Sequence, residues 1–247
     1  MIPLLSNELW FSWCEARRHA AQSLLAKGVV TFMLLLLYHV LVGADATSAS
    51  RDKLLIGFLT WGIAGAAYNA CSHHVVDESH AGTLEQLHLS PHGFRAVLMT
   101  RGVVQLVVGS SQAMVLAAMA MALTRWVSVP VVPAGALLVL GTPALFGVGL
   151  GVGGAAMVDA RSRTVGALLH LVLLAVVSVP AHPFNAFALL PFSYAASLLR
   201  ALVEGDPPAA TAYALVAANS ASYLVFGMLV FRWFEWRAKR GGLLTGG

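Results

Sequence analysis

The sequence predicts an all-α integral membrane protein with six transmembrane helices, and its composition and the spacing of its charges predict this fold. Of its 247 residues, 58% are hydrophobic and only 11% are charged, whereas a soluble domain carries about 25% charged residues. The mean hydropathy is +0.78, and uncharged stretches recur that can cross a hydrocarbon core of about 30 Å. Lipid is the solvent that suits so much apolar surface. We therefore interpret residues 1–247 as a single transmembrane domain.

Six stretches are predicted to span the bilayer, each near the roughly 20 residues that a membrane helix needs. They are Gly28–Gly43, Leu54–Val76, Val103–Leu123, Val131–Val158, Val165–Ala181 and Ala210–Phe231. An even number of spans places both termini on one side, and an excess of basic residues marks the cytoplasmic side. With both termini inside, most basic residues are cytoplasmic, and the external ones are Arg51, Lys53, Arg125 and Arg200. The sequence thus predicts a multi-pass protein of the cytoplasmic (inner) membrane with cytoplasmic N- and C-termini.

Residues 4–25 are predicted to form an N-terminal amphipathic helix that lies in the membrane interface. Apolar residues recur there at helical spacing, with polar and charged residues between them. Trp10 and Trp13 suit the headgroup layer, and Arg17 and Arg18 suit an anionic cytoplasmic leaflet.

Two connections are longer than simple turns: residues 77–100 on the cytoplasmic side and residues 182–208 on the external side. The external segment is itself apolar and is interrupted by Pro183 and Pro191. This pattern predicts a re-entrant helical hairpin in the outer leaflet, where irregular backbone must be sheltered by protein.

The cytoplasmic connection carries the most informative motif. Residues 77–91 read D-E-S-H-A-G-T-L-E-Q-L-H-L-S-P. This run resembles the E-x-x-x-G-T-L-E-Q-L-x-x-S-P signature of permease subunits in the second type of ATP-binding-cassette exporter (ABC-2). The resemblance extends to the order of the surface helix, the six spans and the external hairpin, whose residues 190–202 read L-P-F-S-Y-A-A-S-L-L-R-A-L. The histidines His80 and His88 depart from the family pattern.

The resemblance implies that this loop forms a coupling helix, which docks on a cytoplasmic ATPase and passes nucleotide-driven movement to the spans. The residues implied in that contact are Glu78, Gly82, Thr83, Glu85 and Gln86. It further implies two copies of an ABC ATPase subunit, which bind ATP and Mg, and a second permease chain, identical or homologous.

The local chemistry of the loop agrees with a short helix. Thr83 can cap a helix that starts at Leu84, Gly82 permits a sharp turn into it, and Pro91 can help to end it. The alternative is an ordinary loop helix that lies on the membrane surface.

The run Gly147–Gly154, G-V-G-L-G-V-G-G, lies within a predicted span. It has the letters of a dinucleotide fingerprint but not the strand-turn-helix context that binds a nucleotide. Its G-x-x-x-G pairs, Gly147 with Gly151 and Gly149 with Gly153, instead predict a face for close helix packing.

Polar side chains within the spans are candidates for a substrate pathway or for hydrogen bonds between helices. The amides are Asn69, Gln105, Gln112 and Asn219, and the two intramembrane histidines are His39 and His170. An ionisable residue at membrane depth is a functional candidate, although a neutral imidazole hydrogen-bonded to a neighbouring helix is the simpler explanation and the one we favour.

The sequence predicts no catalytic residue, no metal site and no cofactor in this chain. It has no G-x-x-x-x-G-K-[ST] loop for nucleotide phosphates and no nucleophile elbow or H-E-x-x-H motif. His73, His74, Asp77 and His80 could share a helix face as metal ligands, but histidines at the end of a span are usually solvated. Basic residues lie at the ends of apolar runs, which indicates topology and no nucleic-acid partner.

These patterns together predict an exporter permease in contact with membrane lipid, without an ATPase site of its own. The apolar spans suit an amphipathic drug, a lipid or a lipid-linked glycan. Three alternatives stay open: an ion-coupled secondary transporter, an intramembrane metalloenzyme built on His73, His74 and His80, and a non-transporting membrane scaffold. The secondary transporter normally needs intramembrane carboxylates, and the predicted spans contain no internal acidic residue.

Overall fold

A computed structural model describes residues 10, 25, 28–29, 32–33, 36, 56–57, 60–70, 72, 94–124, 130–158 and 162–240. These residues are helical or connect helices, and none of them lies in a strand. We name the helical residues 60–70 α1, and the helices that follow are α2 (Phe94–Thr124), α3 (Val131–Ala156), α4 (Ser162–Ser178), α5 (Ser193–Val203) and α6 (Ala210–Arg240). A short 3-10 helix, Ala186–Leu189, lies between α4 and α5. The all-α prediction is confirmed over this part of the chain.

Helices α3 and α6 form the central pair and run in the same direction. Near the start of α6, Ser220 Oγ donates to the carbonyl of Gly141 (3.2 Å). Farther along both helices, a Cβ on Gly147 would touch the backbone of Tyr223, and a Cβ on Gly154 would lie 3.1 Å from Phe231 Cα. Since the contacts advance together along both helices, the pair is parallel.

Helix α1 runs antiparallel to both α2 and α4. A Cβ on Gly102 of α2 would lie 3.7 Å from the Ala70 carbonyl, and one on Gly109 would lie 3.1 Å from Ala66 Cβ. Toward α4, the Tyr68 hydroxyl donates to Gly166 O (3.0 Å), whereas His170 lies against the earlier residue Gly65. Helix directions in this part of the chain therefore agree with a chain that reverses at each connection.

The core consists of two clusters toward opposite ends of the bundle. The larger cluster contains Ile56, the first turns of α3 and α6, and the hairpin that includes Phe192. The smaller cluster lies toward the ends of α1, α3 and α6 and the start of α2, and comprises Ala70, Leu98, Phe146, Leu150, Met157, Phe231 and Ala238. Ala70 and Leu98, which flank residues 73–93 in the sequence, therefore lie at the end of the bundle away from the hairpin.

Two helices in the described part are long and apolar enough to cross a membrane, by length and composition: Val132–Ala156 and Ala210–Arg240. They coincide with the fourth and sixth predicted spans. The predicted spans at Leu54–Val76 and Val103–Leu123 are helical wherever their residues are described, and the described residues of the span at Val165–Ala181 are helical as far as Ser178.

Helices α2 and α6 extend beyond the spans that the sequence predicted. Helix α2 begins at Phe94, nine residues before the span predicted to start at Val103, so the last residues of the predicted 77–100 loop are helical. Helix α6 continues past Phe231 to Arg240. Hydropathy detects the apolar part of a helix, whereas backbone hydrogen bonding continues through the charged turns at its ends.

The predicted external hairpin at 182–208 contains the 3-10 helix and α5. The Asn185 side chain caps the 3-10 helix by accepting from Phe187 N (2.9 Å), and its amide donates to Pro180 O (3.0 Å). Phe192 precedes α5 with φ of 69°, a left-handed conformation that is unfavourable for a side chain larger than glycine. Its ring is fully buried against Gly141, and this packing holds the conformation.

Candidate functional site

The residues implied in ATPase coupling, Glu78, Gly82, Thr83, Glu85 and Gln86, lie outside the described residues. The same holds for His39, for the histidines His73, His74 and His80, and for all of the predicted amphipathic helix 4–25 except Trp10 and Leu25. The structure describes the positions of the other candidates.

Gly147 lies where α3 and α6 touch backbone to backbone. A Cβ on Gly147 would meet the Tyr223 carbonyl oxygen and would come within 2.8 Å of Leu224 Cα. A Cβ on Gly227 would in turn meet the carbonyl of Gly147. In this contact only glycine allows the main chains to approach, because any side-chain atom would occupy the space of the opposite backbone.

The remaining members of the glycine pairs have different surroundings. Gly149 faces α1, where a Cβ would meet the carbonyl oxygen of Tyr68. A Cβ on Gly151 would lie 3.6 Å from Val230 Cγ1, an ordinary contact. Gly153 is buried. Gly147 and Gly149 thus pack against two different helices, and α3 is held between α1 and α6.

Asn219 connects α6 to the hairpin. Its Nδ2 donates to the carbonyls of Ala188 (3.3 Å) and Leu190 (3.2 Å), and the neighbouring Tyr223 hydroxyl donates to Leu189 O (3.0 Å). These bonds satisfy three successive carbonyl groups at the end of the 3-10 helix, which lack partners within so short a helix. The amide that the sequence placed among pathway residues therefore has a positional contact with the hairpin.

Asn69 contacts the second intramembrane histidine that the sequence singled out. Asn69 Nδ2 lies 3.4 Å from His170 Nδ1. The imidazole lies edge-on to the Trp61 ring, with 5.5 Å between ring centroids, and fills the space that a Cβ on Gly65 would occupy, 2.6 Å from His170 Cε1. His170 thus occupies a fitted slot in the α1–α4 contact.

Gln105 and Gln112 lie on α2 and are both half-buried. They are seven residues apart, or two helical turns, and so share a face of this helix. The structure does not bring them to Asn69 or Asn219 through any contact among the described residues.

A row of polar side chains on α5 holds the end of α4, and sequence reasoning did not identify it. Ser193 Oγ donates to Val176 O (2.7 Å), and Ser197 Oγ donates to Val179 O (3.2 Å) while accepting from Ala181 N (2.8 Å). Arg200 donates to Ser178 O (3.2 Å) and Val179 O (2.9 Å). The signal was the spacing of Ser193, Ser197 and Arg200 by four and three residues, which puts them on one helix face.

The charge on Arg200 suits this position. The C-terminal carbonyl groups of a helix lack intrahelical donors and carry partial negative charge. Burial lowers the pKa of the Arg200 guanidinium, and the negative charge of Glu204 acts in the opposite direction. A guanidinium nevertheless stays protonated in proteins, so Arg200 acts as a permanent cationic cap on α4.

No group of three or more His, Cys, Asp or Glu side chains that could hold a metal ion occurs among the described residues. Comparisons of the chain with protein-family models, with curated proteins and with solved structures return no match.

Proposed function

We propose that this chain is the membrane permease of an ATP-driven exporter. In this proposal six spans from each of two permease chains enclose the pathway, and two separate ABC ATPase subunits bind ATP and Mg. The proposal rests on the motif at residues 77–91 and on the positions of Ala70 and Leu98, the core residues that flank it in the sequence.

The observation that carries the proposal is the position of the described residues on either side of residues 73–93, at the end of the bundle opposite the hairpin. Ala70 precedes this segment and Leu98 follows it, and both belong to the smaller core cluster. In this proposal the motif is tethered at both ends, through Ala70 and Leu98, to a packed part of the bundle. A coupling helix needs such a tether, because a push on a loop reaches the spans only through rigid contacts.

The basic residues support a cytoplasmic position for that end. Arg101 lies on the early part of α2, and α6 ends with Arg232, Arg237, Lys239 and Arg240. The positive-inside rule assigns this end to the cytoplasm and the hairpin to the outside. Alternating helix directions, together with a first span at 28–43, complete the proposed count of six spans with both termini inside.

The helix contacts offer a route for the movement. Ala70 and Leu98 pack with Phe146 of α3 and Phe231 of α6. The glycine contact between Gly147 and Gly227 joins α3 and α6 so closely that they move as one body. A push on residues 77–91 would then tilt this pair, and with it the hairpin that α6 holds through Asn219.

The pathway would lie between the two chains. Gln105 and Gln112, which share a face of α2, are the proposed lining residues. The exposed Phe184, Phe187 and Leu189 would place the hairpin in the outer leaflet. The proposed cargo is an amphipathic drug, a lipid or a lipid-linked glycan, which can enter sideways from the membrane.

Charge reversal in the motif tests the proposal. Glu85→Lys should abolish transport and the transport-dependent ATP hydrolysis of the assembled complex, while the thermal unfolding midpoint of the purified permease stays unchanged. Asp52→Lys is the matched control, since it makes the same charge change in the connection predicted to be external. Normal transport and ATPase association in Glu85→Lys would contradict the proposed coupling role.

A further inference from the structure

The second half of α6 presents an exposed stripe whose chemistry changes along the helix. Val225, Phe226 and Leu229 are exposed and purely apolar. Trp233 and Trp236 follow, each about half exposed (51% and 50%). Arg237 and Arg240 end the stripe.

Each tryptophan of the stripe has an arginine stacked on it. The guanidinium carbon of Arg237 lies 5.5 Å from the centre of the Trp233 ring, and that of Arg240 lies 3.8 Å from the centre of the Trp236 ring. Both pairs are four residues apart and therefore one turn apart on the same side of the helix. Stacking on an aromatic face holds a guanidinium in place while leaving its N–H groups able to bind an anion.

The acidic residue of this segment does not face the stripe. Glu235 is 2% exposed, and its carboxylate accepts a hydrogen bond from Lys239 (2.8 Å). Within the described part of the chain, the exposed face therefore carries the positive charge of the arginines without a carboxylate beside them. A partner for this face must be anionic where it meets the arginines.

The order of the stripe matches the depth profile of a phospholipid. At 1.5 Å per residue, Trp233 lies about 6 Å beyond Leu229, and Arg240 lies about 16 Å beyond it. Acyl chains suit the aliphatic part, amphipathic tryptophan rings suit the glycerol level, and guanidinium groups suit phosphate. The same stripe thus offers one surface for each part of a single lipid molecule.

We propose that Trp233, Trp236, Arg237 and Arg240 form a binding site for the headgroup of an anionic phospholipid of the cytoplasmic leaflet. The site rests on the insertion of α6 in a membrane but not on the transport activity. Its occupant is a phosphodiester lipid with a net negative charge, held by the two arginines, with its acyl chains along Phe226 and Leu229.

The experiment uses the full-length chain reconstituted in phosphatidylcholine bilayers that contain a small fraction of spin-labelled lipid. The fraction of motionally restricted lipid gives the relative association of spin-labelled phosphatidylglycerol and spin-labelled phosphatidylcholine. The wild-type chain should prefer phosphatidylglycerol. Arg240→Gln should lower that preference about fivefold, because a basic residue near the surface contributes about this factor in anionic-lipid binding.

Arg232→Gln is the matched control, since it removes the same charge from an exposed position two turns earlier on the same helix, where it has no stacked tryptophan in the described structure. It should change the preference less than twofold. Equal losses in the two variants would indicate diffuse attraction to the basic helix end and would overturn the site. No preference in the wild-type chain would overturn it as well, and would direct the search to an acidic protein partner for this face.

A second pair of variants tests the stack independently of net charge. Trp236→Phe keeps an aromatic face, whereas Trp236→Leu removes it without changing any charge. Trp236→Leu should lose the preference for phosphatidylglycerol, and Trp236→Phe should keep a near-normal preference. Wild-type preference in Trp236→Leu would exclude the stacked arginine as the binding element, and circular dichroism of each variant establishes that α6 is still helical.

Discussion

Gly147 and Gly227 face each other across the contact of α3 and α6, and neither position has room for a side-chain carbon. Membrane helices gain stability from close packing, because lipid provides no hydrophobic force between them. This pair therefore fixes both the distance between the two helices and their register. In the proposed transport mechanism, α3 and α6 move as one rigid body.

Substitution of either glycine by alanine should separate the two helices. Gly227→Ala should destabilise the purified chain by about 2 kcal/mol, the usual range for overpacking a closed contact. That loss corresponds to a fall of about 5 °C in the unfolding midpoint in detergent. Gly135→Ala is the control on α3, since nothing lies within 4 Å of a Cβ at that position. A midpoint for Gly227→Ala equal to that of Gly135→Ala would show that the helices are not in backbone contact.

The slot for His170 predicts a coupling between two helices. Gly65→Ala should destabilise the chain by about 1 kcal/mol or more, because the added methyl group occupies the space of the imidazole. In the double variant Gly65→Ala/His170→Ala the clash is gone. The stability lost in this variant should therefore be about 1 kcal/mol smaller than the sum of the losses in the two single variants. Gly62→Ala, with nothing within 4 Å, is the control on the same helix. Additive losses in the cycle would contradict the contact.

The tether from Asn219 to the hairpin predicts a change in hydrogen exchange. Asn219→Asp keeps the shape of the side chain but replaces its donor by a carboxylate that repels the Ala188 and Leu190 carbonyls. Exchange of the amide groups at 188 and 190 should rise about tenfold, as expected for losing roughly 1.4 kcal/mol of local stability. Ser222→Ala is the control, since Ser222 Oγ donates to Ala218 O within α6. Unchanged exchange in Asn219→Asp would leave the hairpin held by other contacts.

Arg200 should act through its fork of donors as well as its charge. Arg200→Ala should lower the free energy of unfolding by about 1.5–3 kcal/mol, the range for hydrogen bonds that involve a charged group. Arg200→Lys keeps the charge but not the planar fork, and it should recover less than half of the loss. Thermal unfolding of the two variants measures both effects. Full recovery by lysine would mean that charge alone stabilises the end of α4.

The Arg200 contribution should not depend on pH between 5 and 9. Burial lowers the pKa of Arg200 relative to the unfolded chain. This shift would change the free energy of unfolding only in the pH range where the guanidinium loses its proton, and there stability would rise with pH. A guanidinium keeps its proton throughout the tested range. The difference in unfolding midpoint between wild type and Arg200→Ala should therefore be constant from pH 5 to pH 9. A difference that grows or shrinks across this range would contradict a permanent charge on Arg200.

The sequence predicted the positions of helices that are marked by a long apolar run. Val131–Val158 and Ala210–Phe231 are long apolar runs, and the helices at Val131–Ala156 and Ala210–Arg240 follow them closely. It did not predict the nine additional residues of α6, because charged turns that continue a helix look like the start of a loop. The G-x-x-x-G spacing pointed to the packing face of α3 but not to the partner of each glycine, which depends on the crossing of α1 and α6.

The contacts of individual side chains were harder to predict from the sequence than the helices. Asn219 and Asn69 had the same pattern in the sequence, a lone amide in an apolar run, yet one contacts the hairpin and the other contacts His170. Pairings over 29 and 101 residues depend on the tertiary fold, which periodicity does not encode. Arg200 was counted only as an external charge, because the spacing of Ser193, Ser197 and Arg200 shows a shared helix face but not the backbone carbonyls of α4 that this face contacts.

Purification of the tagged chain from its native membrane in a mild detergent, with mass identification of the co-purified proteins, tests the central claim most directly. The account predicts an ABC ATPase in about one-to-one ratio with the permease, together with ATP hydrolysis by the complex. Reproducible recovery of the chain alone, without nucleotide hydrolysis, would contradict it and would favour an ion-coupled secondary transporter or a membrane scaffold.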